Sequence, residues 1–180
     1  MGTLNAFYVR IDRPQSLGLL FERFPEAYIE HGMEYYAVDL PANHFAVPTA
    51  ILVELSNQLE TSVIWLQFQS AVDAFHYRHW KCGELVRGLV YGCFELERTW
   101  EGVEGASESW EKAALFDLEE LEFLLEDPQD EAEEARFRRI WREELLEVGS
   151  DSPMVDSRET ARKVAEYYRL PGWSLLENEA

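Results

Sequence analysis

Four runs rich in aromatic and β-branched residues crowd into one stretch of the chain, at 63–69, 73–81, 84–93 and 95–103. The joints between them are one to three residues long. A parallel crossover needs about a dozen residues or more, so these runs are expected to pair as an antiparallel meander. The last run shows the two-residue period most clearly. Phe94, Leu96 and Trp100 fall on one side, and Glu95, Glu97 and Glu101 on the other, as in a sheet with one core face and one wet face.

The rest of the chain mixes strands with helices. In "AFYVRI" the residues Phe7, Val9 and Ile11 alternate with Ala6, Tyr8 and Arg10, which predicts a half-buried strand. Pro14 then suits a first helical position, and Leu17, Leu20, Phe21 and Phe24 form one apolar helix face that Pro25 ends. A second strand is expected over 34–40. A second helix is expected from Pro48, with Ile51, Leu52, Leu55 and Leu59 inward.

Past "GASES" the periodicity turns helical. Helices are expected over about 109–126, over 128–148 with Asp127 as N-cap and Pro128 at the first position, and over 157–169. At 180 residues, 47% hydrophobic and 13% aromatic, the chain can bury a substantial core. The expectation is an α+β fold: a mostly antiparallel sheet of five or six strands with packed helices and a helical, acidic C-terminal third. Residues 1–105 would form the mixed core and 106–180 an acidic helical segment packed on it, one domain in all.

Sixteen Lys and Arg stand against 35 Asp and Glu, a net charge of −19. Binding nucleic acid requires clustered cations to neutralise phosphates, so this field opposes direct contact with DNA, RNA or an anionic membrane. It favours a basic protein partner instead. No apolar run approaches the roughly 20 residues of a membrane helix. The opening "MGTLNAFYVRIDRP" lacks both a secretory core and the Ser or Thr of a myristoylation signal. A cytoplasmic location is therefore expected, and two cysteines, Cys82 and Cys93, suit a reducing compartment.

The stretch "DAFHYRHWKCGE" gathers two histidines and a cysteine. On a helix, His76, His79 and Cys82 would share one side and could hold zinc. Its aromatic density and the Cys82–Gly83 pair instead predict a hairpin with the run that follows, and in a strand His76 and His79 point to opposite faces. No metal and no cofactor is expected. Phosphate loops, nucleophile elbows and zinc spacings do not occur in the sequence, and no catalytic residue can be named from it.

With a two-residue turn the hairpin register sets Arg78 opposite Arg87, with His76 and Trp80 on the same face. These four form a candidate anionic-ligand site, unless C-terminal glutamates satisfy the arginines. The second candidate is the acid run "DLEELEFLLEDPQDEAEE". It holds ten carboxylates and no cation, and it lacks the glycine that an EF-hand loop requires. Within it Glu119, Glu120, Glu122, Asp130, Glu131 and Glu134 are expected to face a partner, outside an apolar stripe of Leu118, Leu121 and Leu125.

The leading expectation is an acidic interaction or regulatory protein without catalytic activity. An inhibitor or immunity protein for a basic enzyme is a narrower form of it. The rival from another class is a small hydrolase or anionic-ligand-binding protein working at the His76 face. The oligomeric state is not legible in the sequence.

Overall fold

The computed structural model describes residues 3–11, 16–39, 49–94 and 97–172. In chain order the elements are β1 (Thr3–Arg10), α1 (Ser16–Arg23), β2 (Tyr28–His31), β3 (Tyr35–Asp39), α2 (Thr49–Gln58), β4 (Ser62–Gln69), β5 (Ala74–Lys81), β6 (Glu84–Phe94) and β7 (Glu97–Gly105). They are followed by α3 (Ser109–Leu115), α4 (Leu118–Leu124), α5 (Glu131–Glu143) and α6 (Ser157–Tyr168). The strands form one sheet in the order β2-β3-β1-β4-β5-β6-β7, and every neighbouring pair is antiparallel.

β1 lies between β3 and β4, so β1 runs parallel to β2 and β3 runs parallel to β4, each across one intervening strand. Both connections are crossovers, supplied by α1 and α2. They leave antiparallel strands in opposite lateral directions, so right-handed connections put both helices on one face of the sheet. Leu20 of α1 and Leu52 and Leu55 of α2 accordingly share a core cluster with Phe7, Val9, Val38, Val63, Trp65 and Trp80. The other face carries Ala6, Tyr8, Ile64, Leu66, Phe75, Tyr77, Leu89, Tyr91 and Trp100. These pack with Trp110, Leu115, Ile140, Trp141, Ala161 and Val164 from beyond Gly105. Burying both faces accounts for strands such as β4, in which five successive residues from Ser62 to Leu66 are buried, as is Phe68 beyond the half-buried Gln67.

The α+β class and the antiparallel sheet are as expected, but the sheet has seven strands, not five or six. The additional strand is β2, whose four residues Tyr28, Ile29, Glu30 and His31 are exposed or half-buried. An edge strand this short gives no readable alternation. The expected helix over 109–126 is two helices, broken at Phe116 and Asp117. The Asp117 side chain accepts from the Glu119 N–H at 3.0 Å and restarts the helix. The helix expected from Pro128 begins instead at Glu131 and ends at Glu143, because Asp130 rather than Asp127 is its cap, accepting from Ala132 and Glu133 N–H at 2.9 and 2.8 Å. α6 begins as expected at Ser157, with Asp156 as cap. On α1 the inward side includes Leu19, Leu20 and Phe24, whereas Phe21, expected inward, is exposed.

The expectations placed on Pro14, Leu40, Pro48, Glu95 and Leu96, and on the side chains of Cys93, Phe94 and Glu97, lie outside the described residues. On the rest of β7, Trp100 is buried and Glu101 exposed.

One ion pair joins the meander to the helices. Arg87 of β6 donates through Nε to Glu111 Oε1 at 2.9 Å and through Nη2 to Oε2 at 2.6 Å, and the two side chains are 5% and 2% exposed. Nη1 donates to the Gly105 carbonyl at 2.8 Å, holding the end of β7. Glu111 Oε1 also accepts the Glu108 N–H at 2.8 Å, which caps α3. The Arg87 and Glu111 side chains are both desolvated, so removing one partner leaves a buried charge. Arg87→Ala or Glu111→Ala is expected to cost about 3 to 5 kcal/mol of unfolding free energy, measured by denaturant titration. Arg78→Ala, whose partner Glu104 is half exposed, should cost under about 1 kcal/mol.

Candidate functional site

The tip of the β5–β6 hairpin is the Cys82–Gly83 turn, with φ of +51° and +82°, as a type I′ turn requires. A Cβ on Gly83 would lie 2.9 Å from the Asn57 Cβ, so both backbone and space demand glycine there. The register then shifts. Lys81 pairs with Glu84 and Trp80 with Leu85, but His79 pairs with Arg87 and Arg78 with Gly88. Val86 is the extra residue of a bulge, and a one-residue slip turns every later side chain to the opposite face.

The four residues read as one sheet-face site are therefore not brought together. His76 and Arg78 share the face toward α1 and α2. Trp80 lies on that side too but is buried in the core. Arg87 points the other way, to Glu111. Arg78 Nη2 lies 3.2 Å from Glu104 Oε1. The His76 ring meets Trp65 edge-on at 6.3 Å. Burial lowers the His76 pKa, and Arg78 adds to this against the pull of Glu101.

His79 faces the helices and enters a polar network that joins residues distant in sequence. Its Nδ1 lies 2.7 Å from Glu108 Oε1 and its Nε2 touches Ser62 Oγ. The Tyr35 hydroxyl donates to Ser62 Oγ at 3.3 Å. Glu108 further accepts from Tyr77 OH at 2.5 Å, Tyr168 OH at 2.7 Å and Trp110 Nε1 at 3.3 Å. A carboxylate can only accept, so Nδ1 carries the proton toward Glu108, and in the neutral ring Nε2 accepts from Ser62. The chain of bonds joins Tyr35, Ser62, His79 and Glu108, and such chains polarise one another.

Burial by itself would raise the Glu108 carboxyl. The hydrogen bonds from His79, Tyr77 and Tyr168 outweigh it and hold the group below its ordinary range. Tyr77 is pushed well up by burial and then by the Glu108 charge, and Tyr168 is raised for the same two reasons.

The acidic positions differ among themselves. Asp130 is spent on its cap. Glu120 accepts the Met154 N–H at 2.8 Å, and burial raises its pKa. Glu134 holds Arg138 at 2.7 Å one turn along α5. Glu119, Glu122 and Glu131 are exposed. Leu121 and Leu124 are the residues of α4 that pack on the core, whereas Leu118, expected within the apolar stripe, is 67% exposed and Phe123 is 65% exposed.

Among the described residues no group of three or more His, Cys, Asp and Glu is placed to hold a metal ion, and no helix is long and apolar enough to cross a membrane. Comparison with protein-family models, with curated proteins and with solved structures finds no match for this chain.

Glu108→Gln tests the network. At pH 7 the change should lower stability by about 1 to 3 kcal/mol, because four side-chain donors lose a charged acceptor. Since the folded pKa of Glu108 is depressed, its contribution is fully present above the unfolded value of about 4.3 and disappears as pH falls through the folded value. The difference in unfolding free energy between wild type and variant should therefore shrink below about pH 4. A difference that stays constant from pH 7 to pH 3 would contradict the depressed carboxyl.

Proposed function

We propose that this chain is a non-catalytic interaction protein that docks a basic protein surface through the outward side of α4. An inhibitor of a basic enzyme is one form such a protein takes. The observation that carries this reading is the pairing of exposed Leu118 and Phe123 with Glu119 and Glu122. Positions 118, 119, 122 and 123 lie on one side of a helix, and that side combines large apolar groups with carboxylates where the sequence supplies no cation between 117 and 134.

Apolar side chains exposed together in this way mark contact surfaces. A buried aromatic anchor supplies affinity, while the surrounding charge speeds encounter and rejects acidic partners. Neutralising Asp130 or Glu120 would confuse the test, since both hold backbone N–H groups.

The clean variants are Phe123→Ser and the set Glu119→Gln, Glu122→Gln and Glu131→Gln. Each should leave the melting temperature within about 2 °C of wild type, as exposed positions do. In capture from host lysate, wild type should retain a basic protein that is lost as salt screens charges beyond about 8 Å. Phe123→Ser should weaken that capture at least about tenfold, and the glutamine set should slow association. Equal capture by all three proteins at low ionic strength would sink the reading.

A second reading rests on the order Ser62, His79, Glu108, in which a hydroxyl, a base and an orienting carboxylate follow one another. In an acyl transfer Ser62 Oγ would bond to the acyl carbon, its proton would pass to His79 Nε2 and then to the leaving oxygen, and water would release the acid. Against it, Ser62 and His79 are 9% and 7% exposed, and the Tyr35 and Tyr168 rings pack 6.1 Å apart beside them. An activated phosphonate ester separates the readings. The hydrolase requires a stoichiometric mass increase on Ser62 that His79→Asn abolishes, whereas the interaction protein stays unlabelled while folded.

A further inference from the structure

The two outer edges of the sheet differ. Along β7 the loop after α5 takes up backbone groups: the Trp100 N–H donates to the Ser150 carbonyl and the Gly149 N–H to the Trp100 carbonyl, both at 2.8 Å. β2 forms the opposite edge and pairs with β3 alone. Among the described residues no backbone group bonds to its outer side.

The register identifies the bare groups. The Gly32 N–H donates to the Tyr35 carbonyl at 2.9 Å, and from there hydrogen-bonded and non-hydrogen-bonded pairs alternate along the ladder. Glu30–Ala37 and Tyr28–Asp39 are therefore bonded pairs, whereas Ile29 and His31, opposite Val38 and Tyr36, turn their N–H and C=O groups outward. β1 gives the same parity from the other side of β3. The Ile11 N–H donates to the Glu34 carbonyl at 3.4 Å, so Tyr36 and Val38 spend their backbone groups on Val9 and Phe7.

Glu30 stands between the two bare residues, and its side chain shares a face with Asp39. Burial and then the Glu30 charge raise the Asp39 carboxyl, and among the described residues no cation pairs with either group. A strand laid antiparallel on this edge meets Glu30 in a non-hydrogen-bonded pair, where opposed side chains lie closest. Two copies of the chain, joined with Ile29 bonded to His31 in both directions, would set Glu30 against Glu30 there, each copy carrying a charge of −19. A Lys or Arg in the same place meets two carboxylates instead. Short, charged edges prevent self-association, and this one excludes its own kind without excluding a cation.

We infer that the outer edge of β2 is a docking site for an extended basic segment of another protein, which adds a strand through the backbone of Ile29 and His31 and places a Lys or Arg opposite Glu30. In this mode main-chain bonds supply affinity and alternate side chains supply specificity. The surface is separate from α4 and does not depend on it.

The capped pentapeptide Thr-Val-Lys-Val-Thr is the probe and Thr-Val-Glu-Val-Thr its control, both followed by amide resonances and hydrogen exchange. In the free protein the Ile29 and His31 amides should exchange faster than that of Glu30, which the β3 ladder protects. The lysine peptide at saturation should slow both at least about tenfold, and the glutamate peptide should not. Glu30→Lys, which alters no backbone bond, should reverse that preference. His31→Pro removes one outward N–H while leaving the β3 ladder whole, and should weaken lysine-peptide binding at least about tenfold. Phe123→Ser should bind the peptide as wild type does, so the α4 surface is judged separately. The inference is overturned if Ile29 and His31 are already protected in the free protein, if the lysine peptide leaves them unchanged, or if Glu30→Lys keeps the wild-type preference. A dimer in sedimentation that His31→Pro dissociates would equally overturn it, since the edge would then belong to a second copy.

Discussion

Glu108 and Glu111 stand at the start of α3 and take their charges into the interior, one satisfied by a guanidinium and the other by an imidazole, two phenols and an indole. Buried carboxylates are tolerated only when nearly every lone pair is used, and this condition fixes the surrounding structure. Arg87 must turn toward the helices and His79 must face Glu108. Ser62 and Tyr35 must lie on the same side of β4 and β3, and Tyr168 must bring α6 down beside α3. Four strands and two helices thus share one electrostatic requirement at one end of the sheet, while the apolar side chains of the same face are interchangeable within the limits of volume.

That requirement explains why Val86 is a bulge. A regular two-residue hairpin would send Arg87 toward α1 and α2, opposite Arg78, and leave Glu111 buried without a cation. One inserted residue reverses the rest of β6, so that Leu89 and Tyr91 enter the core beneath the C-terminal helices while Gly88, Val90 and Gly92 fall on the opposite face. Nothing in "ELVRGLVYG" distinguishes the bulged residue, since Val86 favours a strand whichever way it points. The sheet-face site fails for this reason: four residues placed together by regular alternation are divided by a single insertion that only the helix-borne glutamate explains.

Legibility differed by kind. Residues 63–94, 97–105 and the last helix could be read from period and turn chemistry, because those signals are local. The breaks among the helices had a readable signal that the apolar period obscured. Asp117 with Glu120, Asp130 with Glu133 and Asp156 with Glu159 each repeat an acid at the cap and a glutamate three residues on, the spacing of a helix start. Asp127 lacks the glutamate at that distance. Ser62, His79 and Glu108 could not be found this way, since their meeting depends on the register of β4 against β5 and on the seating of α3, both of which are tertiary.

The excess of negative charge has a structural distribution as well as a size. Cations elsewhere are drawn into pairs along the chain: Arg23 with Glu54, Arg98 with Asp73, Arg139 with Glu147, and Arg162 with Glu159 and Glu166. Such pairs contribute little to stability when exposed, yet they cancel the local field. Between 117 and 134 there is no local cation to do so. The stretch that supplies no cation of its own also exposes Leu118 and Phe123, beside the exposed Glu119 and Glu122. On the proposed reading, in which the protein admits a basic partner and excludes acidic ones, the apolar groups would supply contact and the bare charge selection.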